Sequence, residues 1–201
     1  GFFFDSVRCV GCKTCEIACK DYNDLSFDIG LRRVYDMAAG SWSRNPSGSW
    51  STDAITYYLS ISCNHCENPA CVANCPTGSM QKNPDTGLVY NDHDLCIGCG
   101  TCVRACPYGA PIVDESSHLS RKCSGCASRV EEGKRPICAE ACIAEALAFG
   151  DIEELRASHE SRAQIAPLPD PDQTAPSLVI DSATGVEGAY SAGEISNPRE
   201  V

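Results

Sequence analysis

The sequence predicts an α+β fold of short β-hairpins and short helices, held together by bound metal groups rather than by a large hydrocarbon core. The first observation is composition: 43% of the 201 residues are hydrophobic, but that share includes 16 cysteines. The remainder is small for the core of a chain of this length. The second observation is that the cysteines fall into four groups of four, with none left over. The groups are Cys9, Cys12, Cys15 and Cys19; Cys63, Cys66, Cys71 and Cys75; Cys96, Cys99, Cys102 and Cys106; and Cys123, Cys126, Cys138 and Cys142.

Several classes of function are disfavoured by composition and by missing motifs. A net charge of −11 repels phosphate backbones, which argues against nucleic acid as a partner. No apolar run is long enough to cross a bilayer. The chain has no phosphate-binding glycine motif, no nucleophile elbow and no defensible pair of catalytic carboxylates. We therefore predict a non-catalytic protein, and because the chain starts at Gly1 without methionine, we expect residues before it.

The spacing within the groups favours iron-sulfur clusters over disulfides and zinc. The four patterns are CxxCxxCxxxC, CxxCxxxxCxxxC, CxxCxxCxxxC and CxxCx(11)CxxxC. Such short gaps gather several thiolates around one point, whereas disulfides bridge distant segments. Structural zinc normally uses two separated CxxC pairs and has no need of a third nearby cysteine. The CxxCxxC run wraps three corners of a [4Fe-4S] cubane, and its fourth cysteine reaches the other cluster of a pair.

Glycine and proline positions support cluster-binding loops. Gly11, Gly98 and Gly125 each lie inside the first CxxC gap of a group. A residue without a Cβ lets the loop turn with positive φ and aim amide N–H groups at the sulfurs. Pro76 and Pro107 directly follow the fourth cysteine of the second and third groups, where a fixed φ ends a short helix.

Internal repeats predict which groups share clusters. CVGCKTCEIAC and CIGCGTCVRAC, the first and third groups, match at seven of eleven positions, while PACVANC and PICAEAC relate the second to the fourth. The stretch CPTGSMQKNPDTGLVYNDHDLCIGC resembles the middle of a bacterial two-cluster ferredoxin, with a PDTG turn and a hairpin strand GLVY. The second and third groups therefore form one ferredoxin-like unit, and the first and fourth pair around it.

The crossing rule then assigns the ligands of four [4Fe-4S] clusters. The predicted sets are Cys63, Cys66, Cys71 and Cys106; Cys96, Cys99, Cys102 and Cys75; Cys9, Cys12, Cys15 and Cys142; and Cys123, Cys126, Cys138 and Cys19. The fold is accordingly two nested ferredoxin-like two-cluster units with long loops and an extended C-terminal tail. The first unit is discontinuous, over 1–62 and 107–150, the inserted unit covers 63–106, and 151–201 form a short helix and the tail.

The segments outside the cysteine groups carry weaker predictions. Asn45–Gly48 predicts a hairpin turn flanked by Trp42 and Trp50, which we expect to cover the first unit; the alternative is a docking surface for another subunit. Asp151, as N-cap, with Glu154 predicts a helix to about Arg162. From 151 onwards there are ten acidic and three basic residues, so we expect the tail to wrap along the protein or a partner.

The charges near the cysteines suggest tuning of reduction potentials. Four clusters with four thiolates each would add about −8 to the charge of the protein. We hypothesise that the basic residues beside the cysteines compensate this charge and shape docking surfaces, the alternative being solvated surface charge. They are Arg8, Lys13, Lys20, Arg104, Arg121, Lys122, Arg129, Lys134 and Arg135. His65 is expected in an exposed loop, the alternative being a hydrogen bond to a cluster sulfur.

The chain resembles the four-cluster iron-sulfur subunits of molybdopterin oxidoreductases, most closely those of dimethyl sulfoxide reductase type. The resemblance rests on CVGCKTCEIACKDYNDL, YYLSISCNHCENPAC, CPTGSM, CPYGAP, KCSGCASRVEEGKRPICAEAC with AFGDIEELR, APLPDP and NPREV. It covers essentially the whole chain. Departures are Gly100 and Thr101, where relatives often have a basic and aromatic pair, and Ile143, where proline is common.

The resemblance implies an electron relay between two partners. It implies a molybdopterin-containing catalytic subunit and an integral membrane anchor subunit that oxidises quinol, with this chain peripheral to the membrane in a bacterial respiratory complex. We expect the extracytoplasmic face. The open alternatives are the same relay in a formate, polysulfide, nitrate or aromatic-compound complex, a cysteine-rich zinc scaffold, and a ferredoxin-like carrier free in solution.

Overall fold

The computed structural model describes residues 1–159, 165–182 and 193–201, and the helices and strands found there are short. The strands are β1 (Phe2–Asp5), β2 (Arg33–Ala39), β3 (Trp42–Arg44), β4 (Trp50–Thr52), β5 (Ile55–Ile61), β6 (Met80–Lys82), β7 (Val89–Asn91), β8 (Ile112–Val113), β9 (Ser120–Arg121), β10 (Leu147–Phe149), β11 (Leu178–Asp181) and β12 (Glu194–Ile195). The helices are α1 (Thr14–Tyr22), α2 (Ala70–Ala73), α3 (Thr101–Ala105), α4 (Ala127–Glu131), α5 (Ile137–Glu140) and α6 (Ile152–Ser158). The predicted α+β class is confirmed.

A three-stranded sheet with the order β10-β1-β11 lies in the main core. The central strand β1 runs antiparallel to β10 and parallel to β11. Its three consecutive phenylalanines are buried, as are Leu178, Val179 and Ile180 of β11. A strand that is apolar on both faces is typical of a position covered from both sides. The acidic tail therefore contributes a buried strand, in addition to wrapping along the surface.

The second three-stranded sheet, β12-β2-β5, is built on a long antiparallel pair. β2 and β5 pair from Arg33↔Ile61 to Ala39↔Ile55. The tail returns here a second time, because β12 adds to the free edge of β2. The prediction that the tail wraps along the protein is confirmed for the part of the tail that the structure describes.

Three two-stranded hairpins complete the sheets: β3–β4, β6–β7 and β8–β9. The turn at Asn45–Gly48 is confirmed, since the Gly48 N–H donates to the Asn45 carbonyl and Gly48 has φ +86°. The GLVY hairpin strand is confirmed as β7, paired with β6. The predicted aromatic cover is wrong: Trp42 and Trp50 are 65% and 62% exposed, because their hairpin projects from the protein.

The helices that carry cysteines begin after sharp left-handed turns or prolines. Lys13 and Gly100, at the same position of the first and third groups, have φ +60° and +69° immediately before α1 and α3. Pro69 and Pro136 precede α2 and α5, as expected for a residue with a fixed φ at a helix start. Each helix therefore starts at a defined point relative to its cysteines.

The predicted cap of α6 is confirmed, since the Asp151 carboxylate accepts the Glu153 and Glu154 N–H groups. The helix ends at Ser158 because His159 is extended, so the predicted extension to about Arg162 is wrong; residues 160–162 lie outside the described residues. No helix in the described ranges is long and apolar enough to span a bilayer. The division into a discontinuous unit, an inserted unit and a tail stays a prediction.

Candidate metal-cluster sites

In the part of the protein that the structure describes, four cavities are each lined by four cysteines. Each takes three cysteines from one group and the fourth from another, and each combination is one that the crossing rule groups together. We name them site A (Cys9, Cys12, Cys15, Cys142), site B (Cys19, Cys123, Cys126, Cys138), site C (Cys63, Cys66, Cys71, Cys106) and site D (Cys75, Cys96, Cys99, Cys102). Ligation of a cluster by each set stays a prediction.

Short helices place neighbouring sites side by side. Helix α1 carries Cys15 of site A and Cys19 of site B, four residues apart and therefore one above the other on one helix face. Helix α5 packs against α1 and repeats the arrangement with Cys138 of site B and, just beyond its end, Cys142 of site A. Sites A and B are therefore adjacent.

Sites C and D are joined in the same way. Helix α2 carries Cys71 of site C and is followed by Cys75 of site D, while the packed helix α3 carries Cys102 of site D and is followed by Cys106 of site C. In each helix pair, the cysteines at one end line one cavity and the cysteines at the other end line the neighbouring cavity. The internal repeat in the sequence is reproduced as a repeat of paired sites.

The loops that begin sites B and C meet in the middle of the protein. A Cβ on Gly125, in the site B loop, would lie 3.5 Å from His65 Nε2 in the site C loop. Lys122, beside Cys123 of site B, donates to the Val89 carbonyl, and the Val89 N–H donates to His65 Nδ1 at 2.9 Å. The four sites therefore follow the order A, B, C, D.

The two outer sites are the ones with a cysteine at the surface. Cys12 of site A and Cys99 of site D are the exposed cysteines. Apolar side chains stand exposed beside both: Val10 and Ile17 near site A, and Ile97 near site D. Exposed apolar groups beside a site are typical of surfaces that another protein covers. The structure thus offers one accessible site at each end.

Backbone N–H groups point at the cysteine sulfurs. The N–H groups of Gly125, Met80, Ser120 and Ala146 lie 3.3 to 3.4 Å from sulfurs of Cys123, Cys75, Cys96 and Cys142. Such donors stabilise thiolates over thiols and tune the group that the thiolates bind. The predicted positive φ at the loop glycines is confirmed, at +66° and +69° for Gly11 and Gly125 and +65° for Gly98.

Hydroxyl groups repeat the pattern at the two outer sites. Ser60 Oγ lies 3.2 Å from Cys15 Sγ in site A, and Ser120 Oγ lies 3.2 Å from Cys102 Sγ in site D. A threonine likewise contacts each exposed cysteine. The hydrogen bond between Cys12 and Thr14 lowers the pKa of the Cys12 thiol, and the hydrogen bond between Cys99 and Thr101 lowers the pKa of the Cys99 thiol.

Burial has the opposite effect at the inner cysteines. It raises the pKa of Cys19 and of Cys71 to about 12, so these thiols are protonated at neutral pH unless a positive group balances the thiolate. Coordination by iron supplies such a balance, because a ligating thiol loses its proton outright. The thiols of the inner sites are therefore suited to a bound metal group and not to free solution chemistry.

The donor set and its spacing fit clusters better than single ions. All sixteen cysteines are free of disulfides in the part of the protein that the structure describes. Among those residues, no three Cys, His, Asp or Glu side chains converge closely enough to hold one metal ion. Four thiols around an open cavity suit a larger group, and thiolates are the usual ligands of [4Fe-4S] clusters.

The environment of the cysteines includes residues that the sequence did not indicate correctly. His65 is 1% exposed, so the expectation of an exposed loop histidine is wrong. Desolvation by burial, and then the nearby Lys122 ammonium, hold its pKa well below the usual value.

Of the nine basic residues singled out, only Lys122 is buried. Arg32, which lies outside the cysteine groups, is buried beside site B. Its only signal in the sequence was the LRRV segment leading into a strand.

The chain is similar to known iron-sulfur proteins. Residues 54–152 match the family described as 4Fe-4S dicluster domain, and residues 8–23 match the 4Fe-4S binding domain. The protein is 51% identical over 202 residues to the B subunit of the anaerobic dimethyl sulfoxide reductase of Escherichia coli (strain K12), covering 100% of this chain and 98% of the relative. It is 49% identical over 203 residues to the corresponding subunit of Haemophilus influenzae, with the same coverage. A more distant relative is the thiosulfate reductase electron transfer subunit PhsB of Salmonella typhi, 37% identical over 153 residues, 75% of this chain and 74% of the relative.

Proposed function

This protein belongs to the family of anaerobic dimethyl sulfoxide reductase B subunits, and from that premise we propose that it relays single electrons through four [4Fe-4S] clusters. Its relatives are iron-sulfur electron-transfer subunits of molybdopterin oxidoreductase complexes and not catalytic subunits. The protein is accordingly a non-catalytic subunit that binds multiple 4Fe-4S clusters and has a catalytic partner. The observation that carries the relay is the series of four cavities, each lined by four cysteines in the crossed grouping.

We propose sites A, B, C and D, as defined above, as the four ligand sets. Each bound cubane supplies a one-electron carrier. The protein's own residues hold these carriers in order, and backbone N–H and hydroxyl donors stabilise the thiolates of the cysteines. The helices fix the separation of neighbouring sites, because α1 and α5 each supply ligands to A and B while α2 and α3 supply C and D.

The route follows from the order of the sites. With clusters bound, the outer sites A and D would hold the carriers that exchange electrons with partners, and sites B and C would hold the carriers between them. The exposed Cys12 and Cys99, each with exposed apolar neighbours, support sites A and D as the two points of exchange with partners. Six of the eight cysteines of sites B and C are buried, which limits the access of water to the middle of the route.

The partners we propose are a molybdopterin-containing catalytic subunit at one end and an integral membrane subunit that oxidises quinol at the other. The protein would then be peripheral, held at the membrane through that subunit, on the extracytoplasmic face. The favoured terminal substrate is dimethyl sulfoxide, because identity to the reductase subunits extends over the full chain. The same relay in a thiosulfate-type complex is the alternative that the more distant relative suggests.

The test is anaerobic purification of the complex from its native host, followed by metal analysis and identification of the associated subunits. We expect brown material with about 16 iron atoms per copy of this protein and a large co-purifying molybdopterin subunit. Zinc in place of iron, in colourless protein, would contradict the relay and support the scaffold alternative. A monomer with full iron content would instead indicate a free carrier, and the identity of the large subunit decides the substrate.

A further inference from the structure

Arg32 is a buried cation beside two of the cysteine sites. It is 3% exposed and lines the cavity of site B, with its guanidinium over the Phe2 ring at 5.0 Å. Its Nη1 donates to the Ser60 carbonyl and Oγ, at 3.2 and 3.0 Å. Its Nη2 donates to Ser62 Oγ at 2.9 Å. The guanidinium is thus fixed by neutral acceptors on strand β5 and the residue that follows it.

The charge of Arg32 is not neutralised by a carboxylate within the described part of the chain. No ion pair of Arg32 is found there, and its buried Nε has no hydrogen-bond partner. An uncompensated buried charge costs several kcal/mol. The negative groups that could balance it are the cysteine thiolates of site B, whose cavity Arg32 lines, and Cys15 of site A, which Ser60 contacts.

A hydrogen-bonded path links Arg32 to site A as well. Because Ser60 Oγ accepts from Arg32, its own proton is free to donate to Cys15 Sγ, 3.2 Å away. The chain Arg32, Ser60, Cys15 is polarised in one direction, which strengthens the last bond. At site D, no guanidinium within the described ranges donates to the matching Ser120: its backbone carbonyl accepts from Asn91, and its hydroxyl contacts Cys102.

The internal repeat supplies a second buried cation at the matching place. Ser60–Cys63 reads SISC and Ser120–Cys123 reads SRKC, so Lys122 occupies the position of Ser62. Lys122 is 8% exposed and donates to the carbonyls of Val89 and Cys123. Val89 lines the cavity of site C, so the Lys122 ammonium is bonded to the wall of that site. In one copy of the repeat the cation is the side chain at this position, Lys122. In the other copy the position is Ser62, and the cation is Arg32, which donates to the Ser62 hydroxyl.

We propose that Arg32 and Lys122 are the counter-cations of the inner sites, Arg32 for site B with site A, and Lys122 for site C. This inference rests on the proposed function, since it concerns clusters bound at those sites. A cubane with four thiolates carries about −2, and reduction adds a further negative charge. A fixed cation in a dry environment therefore raises the reduction potential of a cluster more than a surface cation does, because solvent screens it less. Both residues are positioning residues and touch no substrate.

The experiment compares reduction potentials in the purified complex, measured by potentiometric titration with electron paramagnetic resonance. In Arg32→Gln we expect the midpoint potentials of two of the four clusters to fall while the other two stay at their parent values. Arg32→Lys keeps the charge and is expected to restore both potentials towards those of the parent protein. Lys122→Met is expected to lower the midpoint potentials of a different set of clusters. That set includes at least one cluster whose potential Arg32→Gln leaves unchanged.

The matched control is Arg8→Gln, which removes the same charge from the outside of the protein. Arg8 is 53% exposed in its side chain and pairs with Glu145, so solvent and that carboxylate already screen it. We expect all four potentials to remain at their parent values. If the midpoint potentials fell equally in Arg8→Gln and Arg32→Gln, the proposal would be overturned, because a buried charge would then affect the potentials no more than an exposed one.

Two further outcomes decide between this inference and the proposed function. Parent protein without four titrating clusters refutes the relay itself. If the parent protein has four clusters and Arg32→Gln has four unchanged potentials, only the counter-cation role is refuted.

If Arg32→Gln loses iron, we expect sites C and D to keep their clusters, so that about 8 of 16 iron atoms remain. Arg32→Lys is expected to retain all 16. Loss of all clusters in both variants counts against the proposal.

Discussion

At the scale of single residues, the neighbours of the cysteines determine whether the loop around a site can adopt its conformation. Gly98 has φ +65°, and a Cβ on it would lie 2.0 Å from the carbonyl oxygen of His118. That carbonyl is backbone and cannot move aside like a flexible side chain. The same loop brings Ser120 N–H and Oγ to the sulfurs of site D. Glycine is therefore required here for space as well as for conformation.

Replacing Gly98 by alanine should disrupt site D. We expect the positive φ alone to cost about 1–2 kcal/mol, and the clash to add to it and displace the 114–120 loop. The measurement is iron content with the number of clusters titrated in the purified protein, which should fall by one cluster. Gly87→Ala is the matched control, since Gly87 has φ +67° with nothing within 4 Å of its Cβ position. Equal loss in both variants would show that conformation, and not the clash, is limiting.

The position of a basic residue in the sequence does not predict whether its charge lies buried beside a cysteine site. Arg129 lies beside Cys126 but forms an ion pair with Glu140, and Arg104 stands exposed over site D with bonds to the Cys99 carbonyl and Thr101. Exposed charges are screened by solvent and salt. Arg32 is distant from every cysteine group in sequence, yet it is the buried cation beside site B. Tuning by the basic residues beside the cysteines stays a prediction, and burial favours it for Lys122 and not for the exposed Arg8.

At the scale of elements, the β3–β4 hairpin is the clearest candidate for docking. Its two tryptophans are exposed, and among the residues that the structure describes its strands pair only with each other. Tryptophan is enriched among residues that dominate binding energy at protein interfaces. A projecting hairpin with two exposed indoles is therefore more consistent with the docking alternative than with a cover over the protein's own core.

The double variant Trp42→Ser/Trp50→Ser should weaken association with the catalytic subunit. We expect a loss of at least about 2 kcal/mol in binding, roughly thirtyfold in Kd, because each indole buries a large apolar area on docking. Association is measured by titrating the purified catalytic subunit, with iron content and thermal unfolding as checks that the fold is intact. Phe27→Ser serves as control, since Phe27 is 94% exposed but lies outside the hairpin. Unchanged affinity in the double variant would exclude this hairpin as the docking element.

Strand β11 is the second element whose role depends on packing. Ile180 is 0% exposed and pairs with Phe4 across the parallel ladder between β1 and β11. The tail that contributes it is acidic and would not form a core alone. Its stability therefore depends on the phenylalanine strand that it covers.

Ile180→Ala should destabilise the protein by about 2–5 kcal/mol, since it removes buried methyl groups and leaves a cavity against β1. The measurement is anaerobic thermal unfolding of the cluster-loaded protein. Ile195→Ala, in the tail strand β12, is the matched control and should cost much less, because Ile195 is only partly buried. A similar small effect at both positions would show that β11 is peripheral to the core.

At the scale of the whole molecule, the sites form a single series with no parallel branch among the residues that the structure describes. Sites A and B share α1 and α5, sites C and D share α2 and α3, and B meets C through the loops of Gly125 and His65. In the proposed relay, an inner site is therefore an obligatory step, and an outer site is a point of exchange with a partner.

Cys126→Ser should interrupt the relay without affecting its ends. We expect site B to lose its cluster, and quinol-dependent turnover of the complex to fall at least about tenfold, because the step from A to C becomes long. Turnover with an artificial donor that reduces the catalytic subunit directly should be unchanged. Ser128→Ala, an exposed serine on the helix that follows Cys126, is the control. Full quinol-dependent turnover in a protein shown by resonance spectroscopy to lack the site B cluster would contradict the linear order.

Local spacing in the sequence was enough to predict several features of the fold. The hairpin turn at Asn45–Gly48, the β6–β7 hairpin and the Asp151 cap each involve residues a few positions apart, so the backbone itself brings them together. The crossed grouping of the cysteines was also predicted, because the four-residue step at the end of each group places its last thiol one helical turn further on. The cavities have the same grouping, and ligation stays a prediction.

The remaining features were decided by tertiary contacts between distant segments. Burial of His65 depends on the Val89 backbone and the Gly125 loop, and the buried charge of Arg32 is held by strand β5, about thirty residues away in sequence. The acidic tail supplies a core strand only because β1 offers it an apolar face. The sequence thus determined which residues could hold clusters, while the packing of the two halves decided the order of the sites and which charges lie in a medium too dry to be screened.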